Sequence, residues 1–163
     1  MKAGILMVAG LMSLLLLPSR LSSQPDVLTF DEFEPYLHHQ SDTLYVLNFW
    51  ATWCTPCVKE IPALEKIREE YSNKNLRVIL VSLDFPKQIE SRLIPFLGQY
   101  SIHSEVIVLN DPDSNRWIEK VDPDWSGSIP ATLIYHKDSR EFYERSFTYD
   151  ELKIVINSKI NEL

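Results

Sequence analysis

Hydrophobic residues fall along this chain in two rhythms. Leu44 to Trp50 reads "LYVLNFW", apolar with little alternation, which predicts a strand buried on both faces at the centre of a covered sheet. Val58, Ile61, Leu64, Ile67 and Tyr71 then recur at three- and four-residue steps, with Lys59, Glu65, Lys66, Arg68 and Glu69 between them. That spacing predicts an amphipathic helix, with Pro62 inside it expected to kink it. Arg77 to Leu83 is a second buried strand, so strand, helix and strand form a parallel unit. A helix over Ile89 to Tyr100, interrupted at Pro95, leads to a third strand at Glu105 to Leu109 and a short helix at Ser114 to Val121. Ala131 to Tyr135 and Glu141 to Phe147 read as a hairpin across the turn-like "HKDSR". Two capping boxes, Thr29 to Glu32 and Thr148 to Glu151, open helices at either end; Phe33 and Leu37 face inward on the first, and Leu152, Val155, Ile156 and Ile160 on the last. A parallel half followed by an antiparallel half predicts an α/β fold, one mixed central sheet with helices on both faces.

The first residues follow neither rhythm. Ile5 to Leu17 is almost unbroken apolar chain behind Lys2, and Pro18 ends it. That length suits the apolar core of a secretory signal and falls short of the ~20 residues of a membrane span. Residues 1–23 are therefore read as a signal peptide cut before Gln24, with retention as an N-terminal anchor as the alternative. Residues 24–163 form one domain, long enough for a real core. Removing residues 1–23 takes away Lys2 and Arg20 and no acid, so the formal charge moves from −7 to −9. An acidic chain without a basic run argues against nucleic acid and anionic membrane surfaces as partners.

Export also bears on the only two cysteines, Cys54 and Cys57. An oxidising compartment lets disulfides persist, yet a loop closed over two residues removes little entropy from the unfolded chain. A structural staple is a poor account of the pair. A structural zinc site needs four ligands, and no second cysteine pair exists; His38, His39, His103 and His136 do not cluster near the first. No histidine follows Cys57 directly, which excludes covalent haem attachment on that pattern. The pair instead stands where a central strand gives way to a helix, whose first turn offers unpaired N–H groups and partial positive charge to a thiolate. Cys54 is expected to be the more exposed nucleophile. Cys57, one turn in, resolves the mixed disulfide, and Trp53 shields the pair on one side. Pro56 suits a first turn, where no N–H is required.

"NFWATWCTPCVKEIP", residues 48 to 62, closely resembles the active-site segment of exported TlpA/ResA-like thiol-disulfide oxidoreductases. "SGSIPATLIY", residues 126 to 135, resembles the segment in which that family places a cis X-Pro bond before a strand. The resemblance spans roughly residues 27 to 163. It implies a thioredoxin-like fold, a cis Ile129-Pro130 bond, and a substrate-binding surface at Trp53, Ile129 and Pro130. Thioredoxins carry an aspartate six residues before the first cysteine; this chain has Asn48, as TlpA/ResA-like proteins commonly do, and asparagine takes no proton. The resemblance leaves Glu60, one turn past Cys57, as the acid-base group. It also implies protein disulfide substrates, a membrane thiol-disulfide reductase as electron donor, a periplasmic place of work, no bound cofactor or metal, and a reducing direction, with cytochrome c maturation among the tasks. A copper-binding module on the same fold is the alternative, with His103 or His136 reaching the cysteines. A peroxidase fits poorly, because Thr52 stands one residue short of a Thr-x-x-Cys pattern. Trp117 and Trp125, in a stretch longer than a minimal thioredoxin needs, are read as core aromatics, with a partner groove as the other reading.

Overall fold

The structure, a computed structural model, describes residues 24–137 and 139–161. The expected signal segment lies outside the described residues, as does Asp138.

Among the described residues, six strands form one sheet in the order β1-β4-β3-β2-β5-β6. They are β1 (Asp26–Leu28), β2 (Leu44–Trp50), β3 (Leu76–Ser82), β4 (Glu105–Leu109), β5 (Ala131–His136) and β6 (Ser139–Tyr143). The first four pair in parallel, while β5 runs antiparallel to both β2 and β6. Every residue of β2 is buried, which is the physical meaning of its unalternating pattern. Leu44, Val46 and Trp50 face one layer, made by α2 (Thr55–Glu70), α3 (Ile94–Gln99) and α5 (Tyr149–Ile160). Tyr45, Leu47 and Phe49 face the other, made by α1 (Phe30–Phe33) and its 3-10 extension Glu34–Leu37, together with α4 (Ser114–Val121). The period of two along the strand thus divides the core into two layers.

Several expectations need correction. β1 was not expected: three residues at a sheet edge, largely exposed, carry too short a pattern to read. It exists because its backbone pairs with Ile107, Val108 and Leu109 of β4. The helix over Ile89 to Tyr100 begins as a π turn, Ile89–Leu93, and becomes α-helical with Pro95 in its first turn. Proline has no N–H to give the carbonyl four residues back, and the wider turn accommodates that loss. The last strand occupies Ser139–Tyr143, earlier than the pattern placed it. His136 pairs with Ser139, so the connection is only two residues long, with Lys137 at φ 45°. The chain leaves the sheet after Tyr143, and the Glu144 carboxylate accepts the N–H groups of Ser126 and Ser128, both at 3.0 Å. α2 is a single helix through Pro62.

Trp117 and Trp125 are core residues. Each is about 4% exposed, which rules out a groove wall. Trp117 stacks on Phe30, Trp125 packs against Phe49 and Phe142, and its indole N–H donates to the Ser128 carbonyl at 2.8 Å. Trp125→Ala is expected to cost about 3–5 kcal/mol in urea unfolding, the range for an aromatic removed from a packed core. A loss under about 1 kcal/mol would return Trp125 to the surface.

Candidate active site

The strand β2 ends at Trp50, and a short turn carries the chain into α2 with Cys54 as its N-cap. Cys54 and Cys57 are joined as a disulfide. The Cys57 N–H donates to Cys54 Sγ at 3.3 Å, so a backbone donor already points at the sulfur that would carry negative charge on reduction. Cys57 is fully buried and Cys54 keeps 6% exposure, the order expected from their positions.

The second half of the site comes from the segment before β5. Phe49 pairs with Ala131, and because β5 runs antiparallel to β2, the residues just before Ala131 lie beside those just after Phe49. The Ile129-Pro130 bond is cis, and the Ile129 carbonyl oxygen lies 3.6 Å from Cys54 Sγ. Pro130 is buried and Ile129 half-buried. The structure therefore brings Cys54, Cys57, Ile129 and Pro130 together from segments 75 residues apart. Trp53 is adjacent in the chain but turns outward, 45% exposed, and its ring stacks on Phe85.

Glu60 lies one turn past Cys57 on α2 and is almost wholly buried. Its Oε1 accepts the Phe147 N–H at 3.1 Å, while Oε2 is buried with no hydrogen-bond partner among the described residues. Burial raises its carboxyl from the usual 4.5 to about 7; the Phe147 N–H, the Asn48 amide and Arg145 pull the other way without cancelling that effect. Asn48 itself is buried, donating to Thr132 Oγ1 at 2.9 Å across the β2–β5 pair. A dithiol/disulfide at a helix N-terminus beside a carboxyl that titrates near neutrality can exchange disulfides and move the accompanying proton.

Sequence reasoning missed the clamp behind the cysteine turn. Asp84, just past β3, is buried; its carboxylate accepts the Thr52 N–H at 3.0 Å, the Thr52 hydroxyl at 2.5 Å and the Ser82 hydroxyl at 2.9 Å. Arg92 donates to the Thr52 carbonyl at 3.4 Å. The available signal was an acid directly after an apolar strand, where only buried donors could keep it. The clamp commits the Thr52 hydroxyl to Asp84, which leaves the peroxidase reading weaker still. The copper reading fares no better. His38 and His39 precede β2, His103 precedes β4, and His136 ends β5, so all four stand at the end of the sheet away from the cysteines. From Pro130 to His136 is six residues of strand, about 20 Å.

Residues 31–139 match the AhpC/TSA family. The chain belongs to that family. Among its relatives, the thiol-disulfide oxidoreductase ResA of Oceanobacillus iheyensis is 41% identical over 114 residues, 69% of this chain and 55% of its own. The chain spans about half the length of the curated ResA relatives it matches. Of solved structures, a DsbF homologue from Corynebacterium diphtheriae superposes with a TM-score of 0.59 at 26% identity, covering 72% of this chain and 73% of that one. A thioredoxin-family thiol:disulfide interchange protein from Chlorobium tepidum gives a TM-score of 0.62 at 17% identity, over 78% and 84% of the two chains. The fold is that of thioredoxin, and this AhpC/TSA chain resembles the TlpA/ResA-like group as its motifs implied.

The Glu60 carboxyl makes stability depend on pH. A folded-state value raised to about 7 means that the native state holds a proton the unfolded chain releases near 4.5. The contribution of Glu60 to stability is thus fully present below about 4.5 and is lost as pH rises through 7, by roughly 3 kcal/mol in all. Glu60→Gln removes that slope, so its stability relative to the parent is expected to rise by up to that amount between pH 4.5 and 7.5. Parallel pH dependences in urea titrations of both proteins would show that Glu60 titrates in the fold as it does in the unfolded chain.

Proposed function

We propose that this protein is an exported thiol-disulfide oxidoreductase that reduces protein disulfides. The observation that carries the reading is the Cys54–Cys57 pair at the start of α2, with the Cys57 N–H on Cys54 Sγ and the Ile129 carbonyl 3.6 Å away. In the reduced protein, the Cys54 thiolate attacks one sulfur of a substrate disulfide, forming a mixed disulfide and expelling the other substrate sulfur as a thiolate. The Cys57 thiol loses its proton to Glu60, and its thiolate attacks Cys54 Sγ. The Cys54–Cys57 bond forms, the intermolecular bond breaks, and the substrate leaves as a dithiol after protonation. Two electrons pass from protein to substrate. Ile129 and Pro130, with Trp53, form the surface on which the substrate segment lies.

Each turnover leaves the protein oxidised, so a donor must restore the dithiol. The apolar run at Ile5 to Leu17 supports residues 1–23 as a signal peptide or anchor and a place of work in the periplasm. A membrane thiol-disulfide reductase is the donor that suits that compartment. The reducing direction suits cytochrome c maturation, where apoprotein cysteines must be reduced before haem is attached.

Cys54→Ser is expected to abolish reduction of insulin disulfides, and undiminished turnover by that variant would overturn the reading. Glu60→Gln is expected to slow turnover ~10²-fold at neutral pH and to remove the inflection near pH 7 from the pH–rate profile. The Cys54–Cys57 reduction potential, set by equilibration with dithiothreitol or glutathione and read by tryptophan fluorescence, is expected near ~−270 mV or lower. A value near ~−120 mV would reverse every step and make the protein a disulfide donor.

A further inference from the structure

Most large apolar side chains of the described residues are packed into the two core layers; Trp53 and Phe85 are exposed, as are Val27, Tyr100 and Ile154. Trp53 is 45% exposed and Phe85 63%. They do not stand apart: their ring centroids are 6.5 Å from each other with planes 21° apart. One follows β2 and the other follows β3, neighbours in the sheet whose last residues, Trp50 and Ser82, pair directly. The Leu83 N–H donates to the Trp50 carbonyl at 2.8 Å, extending the ladder one step into the loops. Beyond that step the joint is Asp84. It is the residue before Phe85, and its carboxylate grips the N–H and hydroxyl of Thr52, the residue before Trp53. A single buried carboxylate therefore sets the spacing of the two rings, and the Ser82 hydroxyl and Arg92 hold the clamp from either side.

We propose that Trp53 and Phe85 form a two-ring platform beside Cys54 that receives an apolar side chain flanking the cysteine of the substrate, with Phe85 setting specificity and Asp84 positioning the rings. This rests on the oxidoreductase reading above and names the substrate it prefers: an extended polypeptide segment with an aromatic or large aliphatic residue next to its disulfide-bonded cysteine. The platform is continuous with the surface that must hold that segment. Trp53 is joined to Cys54 in the chain, and Cys54 Sγ faces the Ile129 carbonyl on the other side. A segment docked so that its sulfur meets Cys54 has one edge along Ile129 and the other over the rings. Two aromatic faces held in place by buried hydrogen bonds lose little freedom on binding, so the apolar area they cover contributes to affinity. A charged or small neighbour gains nothing there and leaves both rings in water.

The test compares reduction of two disulfide-linked peptides that differ only in the residue beside the cysteine, phenylalanine in one and serine in the other, together with the small non-aromatic disulfide 2-hydroxyethyl disulfide. Phe85→Ala is expected to lower kcat/KM for the phenylalanine peptide about tenfold, through KM, while the serine peptide, the small disulfide and the reduction potential stay as in the parent. Phe85 is exposed and lies outside both core layers, so the variant is expected to fold normally. Asp84→Asn is expected to shrink the preference for phenylalanine over serine; a merely structural role would lower both peptides together. Equal effects of Phe85→Ala on both peptides, or none on either, overturn the platform while leaving the oxidoreductase reading intact. A parent protein inactive on all three disulfides overturns both. If Phe85→Ala instead dissociates a dimer in light scattering with no change in peptide preference, the rings serve a second copy of this chain and the substrate platform is wrong.

Discussion

The antiparallel pairing of β5 with β2 is the constraint on which the rest of the structure depends. β2 has β3 on one side in parallel and β5 on the other in antiparallel. A parallel neighbour sends its own loop out at the same end of the sheet, which brings Asp84 and Phe85 beside the turn that carries Cys54. The antiparallel neighbour starts at that end, which brings Ile129 and Pro130 there. A slip of one residue in the β2–β5 register would turn Asn48 and Thr132 to opposite faces and carry Ile129 away from Cys54 Sγ. Burial of every β2 residue on two different layers forbids that slip, because it would exchange the residues of one layer with those of the other.

Through the layer that holds α2 and α5 runs a thread of polarity. Asn48, Thr132 and Glu60 are all buried, and both Asn48 Oδ1 and Glu60 Oε2 have no hydrogen-bond partner among the described residues. An unpaired buried oxygen costs about 1–3 kcal/mol, and an ionised one more. The fold tolerates this beneath the disulfide, and the consequence is a carboxyl that titrates near 7 instead of near 4.5. The same desolvation that weakens the protein at neutral pH makes Glu60 a group able both to take and to return a proton there. Stability and chemistry are in opposition at this residue, and a glutamine would resolve the opposition in favour of stability.

Around the sulfur atoms the protein is stiff on one side and open on the other. Cys57 is sealed in the core, Pro56 and the helix fix its distance from Cys54, and Asp84 ties the preceding turn to the next strand. What remains exposed around Cys54 is Thr55 and Pro56 between the cysteines, half-buried Ile129, and the two rings. Chemistry that needs one sulfur reachable and the other hidden is served by that asymmetry, since the buried sulfur meets only its neighbour.

Much of this was determined by the sequence alone. The uniform apolar run at Leu44 to Trp50, the three- and four-residue steps from Val58 to Tyr71 and the capping box at Thr148 each report a local preference that tertiary packing reinforced, so β2, α2 and α5 stand where the pattern put them. The two cysteines and the helix start between them follow from positions only a few residues apart, whereas the burial of Glu60 comes with its contact to Phe147, 87 residues away. β1 escaped notice because three exposed residues have no periodicity, and only a partner strand makes them a strand. β6 ends where its pairing with β5 ends, and Glu144 beyond it reaches back to Ser126 and Ser128, contacts between segments that no local pattern encodes. The same holds for the site. Tertiary structure alone decided that Asp84 binds Thr52, that Phe85 faces Trp53, and that every histidine lies at the far end of the sheet, because strand order and direction, not spacing along the chain, determine which loops meet.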